Sequence, residues 1–192
     1  GNAAAALSHR IFLIEYFLSQ NIFEPERTDA LLNEPKTCVI VYTDGGASPN
    51  PGLGGWAAIL VSPGHGGAER ELYGAEPDTT NNRMELTAAI QALRALKYPC
   101  RVELHTDSTY LRNAFEKGWL ERWRKNGWRT SGKQAVLNRD LWEELWELSR
   151  THSIYWHWVK GHAGDERNNR CDALVQRAKE EFLSGMSPAA PA

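Results

Sequence analysis

The stretch Cys38-Val-Ile-Val-Tyr-Thr-Asp44 decides how this chain folds. Val39 to Tyr42 is a continuous apolar run, as expected of a central strand covered on both faces rather than one. A carboxylate, Asp44, ends that strand, just before Gly45 and Gly46. Three more acids fall at comparable places. Glu85 opens the predicted helix NNRMELTAAIQAL, Asp107 ends the predicted strand VELHTD, and Asp172 sits in the predicted helix NNRCDALVQRA. An α/β chain can bring four such positions to one spot, because open sheets gather their ligands at the carboxyl ends of strands.

Several buried acids repel one another and lose hydration, so a sequence that points them together normally supplies a cation. Oxygen donors without interleaved Cys or His favour Mg²⁺, with Mn²⁺ as a substitute, over zinc. The set suits two ions about 3.5–4 Å apart, acting on a phosphodiester. Each acid also has a local reading. Asp44 before two glycines suits a turn, Asp107 before Ser108 suits a helix cap, and Glu85 suits a helix start. Those readings do not explain why all four fall at points of convergence.

Around the first strand the predicted order is strand, strand, strand, helix, strand, helices, strand, helix. Gly54 to Val61 and Glu69 to Tyr73 form an antiparallel meander with the first strand, joined through SPGHGG. Helix Asn82 to Leu96 carries Leu86, Ala89, Ile90, Leu93 and Leu96 on one stripe, and Glu85 shares its row with Ala88, Ala89 and Ala92. Such small neighbours let a helix approach a sheet closely. Strand Arg101 to Thr106, helix Asn138 to Arg150, strand Ser153 to Val159 and a last helix from Glu166 to Ser184 complete the body.

The expected domain spans residues 37–184. Residues 1–36 form an extension in which Leu7, Ile11, Ile14 and Leu18 recur at helical spacing, either packed on the body or serving docking or dimerisation. Residues 185–192 read as a disordered tail. With 192 residues, 42% hydrophobic and 24% charged, the composition is that of a globular protein. Three cysteines without a C-x-x-C pair argue for reduced thiols in a cytoplasmic setting and against a disulfide or zinc scaffold. The apolar run Ile11 to Leu18 is too short to span a bilayer and is broken by Glu15. No membrane or obligate protein partner is expected, and the chain reads as a monomer.

The formal net charge of −2 does not by itself suggest a nucleic-acid partner. Its distribution does. From Arg122 to Arg139 the chain has six basic residues, Arg122, Arg124, Lys125, Arg129, Lys133 and Arg139, and no acidic one. Trp119, Trp123 and Trp128 interleave with them, offering flat faces for sugars or bases beside cations for phosphates. Trp119 and Trp123 also suit a core position.

The motifs YTDGGASPNPG, TTNNRMEL, HTDSTY, WVKGHAG and NNRCDAL, in this order, closely resemble type 1 ribonuclease H, most nearly its bacterial form with a basic protrusion. The match covers roughly residues 38–183. The resemblance implies a five-stranded mixed sheet flanked by helices. It implies hydrolysis of the RNA strand of RNA–DNA hybrids to 5′-phosphate and 3′-hydroxyl ends. It makes Asp44, Glu85, Asp107 and Asp172 the metal-binding catalytic acids and His162, in a loop, a catalytic auxiliary in proton transfer or product release. Asn50, Asn81 and Asn82 match positions that sense 2′-hydroxyls, although Asn50 also suits a turn and Asn81 a helix cap. Thr80 and Asn138 match positions that grip a phosphate of the DNA strand, while Asp78 stands where many relatives carry Arg. A DNA-cutting relative on the same fold is disfavoured by TTNNRMEL and these asparagines. A non-catalytic hybrid-binding module is disfavoured by the complete acid set.

Overall fold

In a computed structural model, which describes residues 37–159 and 166–185, the first strand, β1, runs over Cys38–Ala47. It continues past Asp44, which pairs with Ala57 instead of ending the strand. β2 (Gly52–Ser62) and β3 (Ala68–Thr79) follow in an antiparallel meander, separated by a short 3₁₀ turn at Pro63–His65. Helix α1 (Asn81–Arg94) crosses over to β4 (Arg101–Thr106), which is parallel to β1. Helices α2 (Thr109–Glu116), α3 (Trp119–Lys125) and α4 (Arg139–Thr151) lead to β5 (Ser153–Trp158), parallel to β4, and α5 (Glu166–Leu183) comes last. The result is a five-stranded mixed sheet in the order β3-β2-β1-β4-β5.

The central position of β1 accounts for its apolar run. Val39 and Val41 join Ala58, Leu60 and the buried face of α1 in one core, whereas Tyr42 joins Ala57, Ile59 and Val61 beneath Cys171, Leu174 and Val175 of α5. Successive side chains thus enter opposite layers, as the two-residue strand repeat requires. On α1, Leu86, Ile90 and Leu93 are essentially excluded from solvent. Each such side chain contributes about 1.5–3 kcal/mol by leaving water.

β3 extends six residues beyond its expected end at Tyr73. Neither Gly74 nor Pro77 ends it, because β3 is an edge strand, where proline is tolerated. Gly74 is required for a different reason: a Cβ there would stand 2.9 Å from the Trp56 indole ring. Among the described residues, no helix is long and apolar enough to cross a membrane. The expectations for residues 1–36 and for the tail from residue 186 lie outside the described residues.

Candidate active site

Thr43 pairs with Thr106 across the parallel β1–β4 ladder, so the next residues, Asp44 and Asp107, emerge side by side at one edge of the sheet. Glu85 reaches that edge from α1. The helix starts at Thr80, whose hydroxyl accepts from the Arg83 N–H at 3.3 Å as an N-cap, a role that Asn81 also suited. Its close approach depends on Gly45. A Cβ at that position would lie 2.4 Å from the Met84 carbonyl carbon and 2.6 Å from the Glu85 nitrogen.

Glu85 is largely buried. Burial is the main cause raising its pKa to about 7, and the charges of Asp107 and Asp44 push the same way. The one opposing influence is a short hydrogen bond donated by the Ser108 hydroxyl. Ser108 also caps α2, accepting from the Leu111 N–H at 3.2 Å. Capping was the local alternative weighed for Asp107, but Ser108 fills it; the small hydroxyl residue immediately before the helix was the available signal.

Asp172 lies in the second turn of α5. Its neighbour Cys171 is buried against β1, with Sγ donating to the Tyr42 carbonyl at 3.5 Å. Burial raises the Cys171 thiol pKa, and the charge of Asp44 raises it further, so this helix reaches the Asp44 side of the sheet. Asp44 itself accepts from the Gly45 N–H at 2.8 Å. Among the described residues, no three His, Cys, Asp or Glu side chains close on a common point that could hold an ion. Glu85, Asp107 and Asp44 are neighbours in charge, but Glu85 is engaged by Ser108 and Asp44 by its own turn of backbone. His162 lies outside the described residues.

The asparagines tie the loops that border this edge. Asn81 accepts from the Ala47 N–H at 2.6 Å through Oδ1, and Asn50 accepts from the Asn81 N–H at 3.2 Å. Asn82 is exposed in the first turn of α1. Asn138, in a left-handed conformation before α4, accepts from Arg83 at 3.3 Å. Arg83 also makes a two-pronged pair with Asp140 at 2.9 and 3.1 Å. One hint of Arg83 was available beforehand: a cation in the first turn of a helix is unfavourable towards the helix dipole unless something else holds it. Asp78, at the end of β3, has a positive φ of 52° and is exposed.

In the basic segment, Trp119 and Trp123 are half-buried, with ring centroids 5.9 Å apart. With Arg122, Asn126, Arg129 and Thr130 they line a groove of about 400 Å³. Trp128 does not share it. Only 9% exposed, this ring packs into the main core, so the expected stacking face is turned inward. Arg124 lies 3.9 Å over the Trp146 ring and Arg139 pairs with Glu143 at 2.8 Å, while Lys125 and Lys133 are exposed.

A mixed sheet with carboxylates from two strand ends and a helix at one edge, together with a basic aromatic groove elsewhere on the domain, is the frame of an α/β enzyme that acts on nucleic acid. The sequence profile of the RNase H family matches residues 36–180. Ribonuclease H of Chelativorans is 56% identical over 142 residues, covering 74% of this chain and 85% of that protein. Ribonuclease H of Halorhodospira halophila is 52% identical, covering 80% of this chain and all of that protein. The crystal structure of LC9-RNase H1, a type 1 RNase H with the type 2 active-site motif, superposes with a TM-score of 0.68 at 32% identity, covering 82% of this chain and 77% of that one. LC11-RNase H1 in complex with RNA/DNA hybrid shares the fold at a TM-score of 0.57 and 22% identity, over 76% of this chain and 99% of that one. The chain belongs to the ribonuclease H family, type 1, and is an endonuclease for the RNA of RNA–DNA hybrids.

Proposed function

We propose that this chain cuts the RNA strand by a two-metal mechanism, with Asp44, Glu85, Asp107 and Asp172 as ligands of Mg²⁺ or, in its place, Mn²⁺. The observation that carries this reading is Glu85: a largely buried carboxyl beside two like charges, compensated among the described residues by the Ser108 hydroxyl. A divalent ion supplies the positive charge such a group lacks. The donor set, all carboxylate oxygen, fits a hard cation. When bound, two such ions activate a water and stabilise the leaving oxygen, giving 5′-phosphate and 3′-hydroxyl ends.

The remaining roles belong to side chains. Asn50, Asn81 and Asn82 border the acid edge where the RNA strand would present its 2′-hydroxyls. Thr80 and Asn138 hold a phosphate of the DNA strand, with Arg83 beside them. The groove of Trp119, Trp123, Arg122 and Arg129 receives the hybrid backbone farther along, with Lys125 and Lys133 nearby. His162 moves a proton or aids product release, and His162→Ala slows turnover without abolishing it. The decisive experiment is cleavage of an end-labelled hybrid beside duplex RNA, duplex DNA and single strands, with Mg²⁺ and then EDTA. Cutting confined to the RNA of the hybrid, lost with EDTA and in Asp44→Asn while hybrid binding persists, supports the reading. Cleavage that survives EDTA overturns it.

A further inference from the structure

Arg167 and Arg170 stand in the first two turns of α5, where a helix dipole disfavours cations. Both reach across to the edge strand. Arg170 pairs with Glu69 at 2.6 Å and makes a shorter contact with Glu71, and Arg167 pairs with Glu69 at 2.9 Å. Arg167 also lies 5.6 Å over the Tyr42 ring of β1. All four side chains are partly sheltered, with Glu69 26% exposed and Arg170 38% exposed.

Helical geometry gives this network its meaning. With about 100° between successive residues, Arg170 falls on one flank of the buried stripe formed by Cys171, Leu174, Val175 and Ala178, while Arg167 continues that stripe towards the start of the helix, over Tyr42. Asp172 falls on the opposite flank. The apolar stripe alone tolerates rolling, because dispersion and burial are not directional. Height above the sheet is fixed separately: a Cβ at Gly55 would stand 2.6 Å from the Val175 carbonyl oxygen, so helix and strand are already in backbone contact. What remains is rotation about the helix axis, and Arg170, reaching Glu69 and Glu71 from one flank, restricts it, with Arg167 adding a second hold on Glu69.

We propose that Arg170, with Arg167, Glu69 and Glu71, is a positioning clamp that sets the roll of α5 and thereby aims Asp172 at Asp44 and the metals. The inference rests on the reading of Asp172 as a metal ligand. Arg170 touches no reacting atom.

The test is Mn²⁺ affinity without substrate, read from the free-ion paramagnetic resonance signal, beside thermal unfolding, for the parent, R170M, the charge swap E71R/R170E, and D172N. R170M keeps the apolar stem and should weaken Mn²⁺ binding by about ten-fold, the lower edge of what loss of a ligand-orienting partner costs. The swap should recover affinity to within about two-fold, which a purely structural role tied to one residue's packing would not give. Hybrid KM should stay near the parent value. An unchanged Mn²⁺ affinity in R170M while D172N weakens it overturns the clamp alone. An unchanged affinity in D172N strikes the assignment of Asp172 itself. Should R170M fail to fold, E71Q, which removes one prong, gives the same reading on a smaller scale.

Discussion

The Ser108 hydroxyl donates to the Glu85 carboxylate while accepting from the Leu111 N–H, so one oxygen joins the start of α2 to the acid edge. Ser108→Ala should therefore act twice. Loss of the cap should cost about 1 kcal/mol of stability. Loss of the donated hydrogen bond should move the Glu85 pKa of the metal-free protein upward from about 7, because that bond favours the charged form. Carboxyl-carbon NMR titration of Glu85 in parent and variant reads the second effect, and a downward shift would contradict it.

Glu85 also predicts how stability responds to pH. Its pKa rises on folding from 4.5 to about 7, so the folded state holds the proton more tightly than the unfolded chain. This carboxyl costs nothing below about pH 4.5, costs progressively more as pH rises towards about 7, and exerts its full penalty above that. Metal-free Glu85→Gln should escape the loss, gaining on the order of 3 kcal/mol over the parent near pH 8. Added Mg²⁺ should close most of the gap by stabilising the parent. Denaturant titrations at several pH values, with and without Mg²⁺, measure both.

Gly45→Ala should be among the most damaging conservative changes in the chain. The new methyl would meet backbone atoms of Met84 and Glu85 at 2.4 to 2.6 Å, and backbone cannot rotate away. A loss of about 2–4 kcal/mol is expected, with Glu85 displaced and turnover falling further than stability alone explains. Gly64→Ala, where nothing lies within 4 Å, is the control and should be nearly neutral.

Neutralising Arg122 and Arg129, which line the groove with Trp119 and Trp123, should raise KM several-fold and leave kcat nearly unchanged. For every phosphate that is no longer neutralised, the logarithmic salt dependence should flatten by about 0.9. Arg124→Gln should do less, since its guanidinium is laid over Trp146. Equal salt slopes in all three proteins would remove the groove from substrate binding.

The sheet was legible because its signals are local and repeated. Val39–Tyr42 announced a strand covered on both sides, and β4 has the limits its sequence suggested. Errors arose where one residue type serves two purposes. The strand expected to end at Tyr73 runs on through Gly74, which makes room for Trp56; Asn81 suits a cap, yet the cap is Thr80 and Asn81 spans to Ala47. Trp128 shows the limit of composition, since a tryptophan in a basic run can point either way and the fold turned this one inward. Ser108 and Arg83 were invisible as partners because Glu85 and Asp140 lie far from them in sequence, and such pairs exist only once helices have docked.

Asp44 comes from the first described strand and Asp172 from the last described helix, and between them the chain must close a meander, a crossover and two parallel pairings. Distant closures are the slow events of folding. A refolding population should regain its circular dichroism while still inert, and turnover should return only with the arrival of α5. Hydrolysis would then serve as a clock for the end of folding. With Asp172 as the ligand proposed above, a nicked chain that lost its last helix would keep the core on the α1 side of the sheet and lose its catalysis.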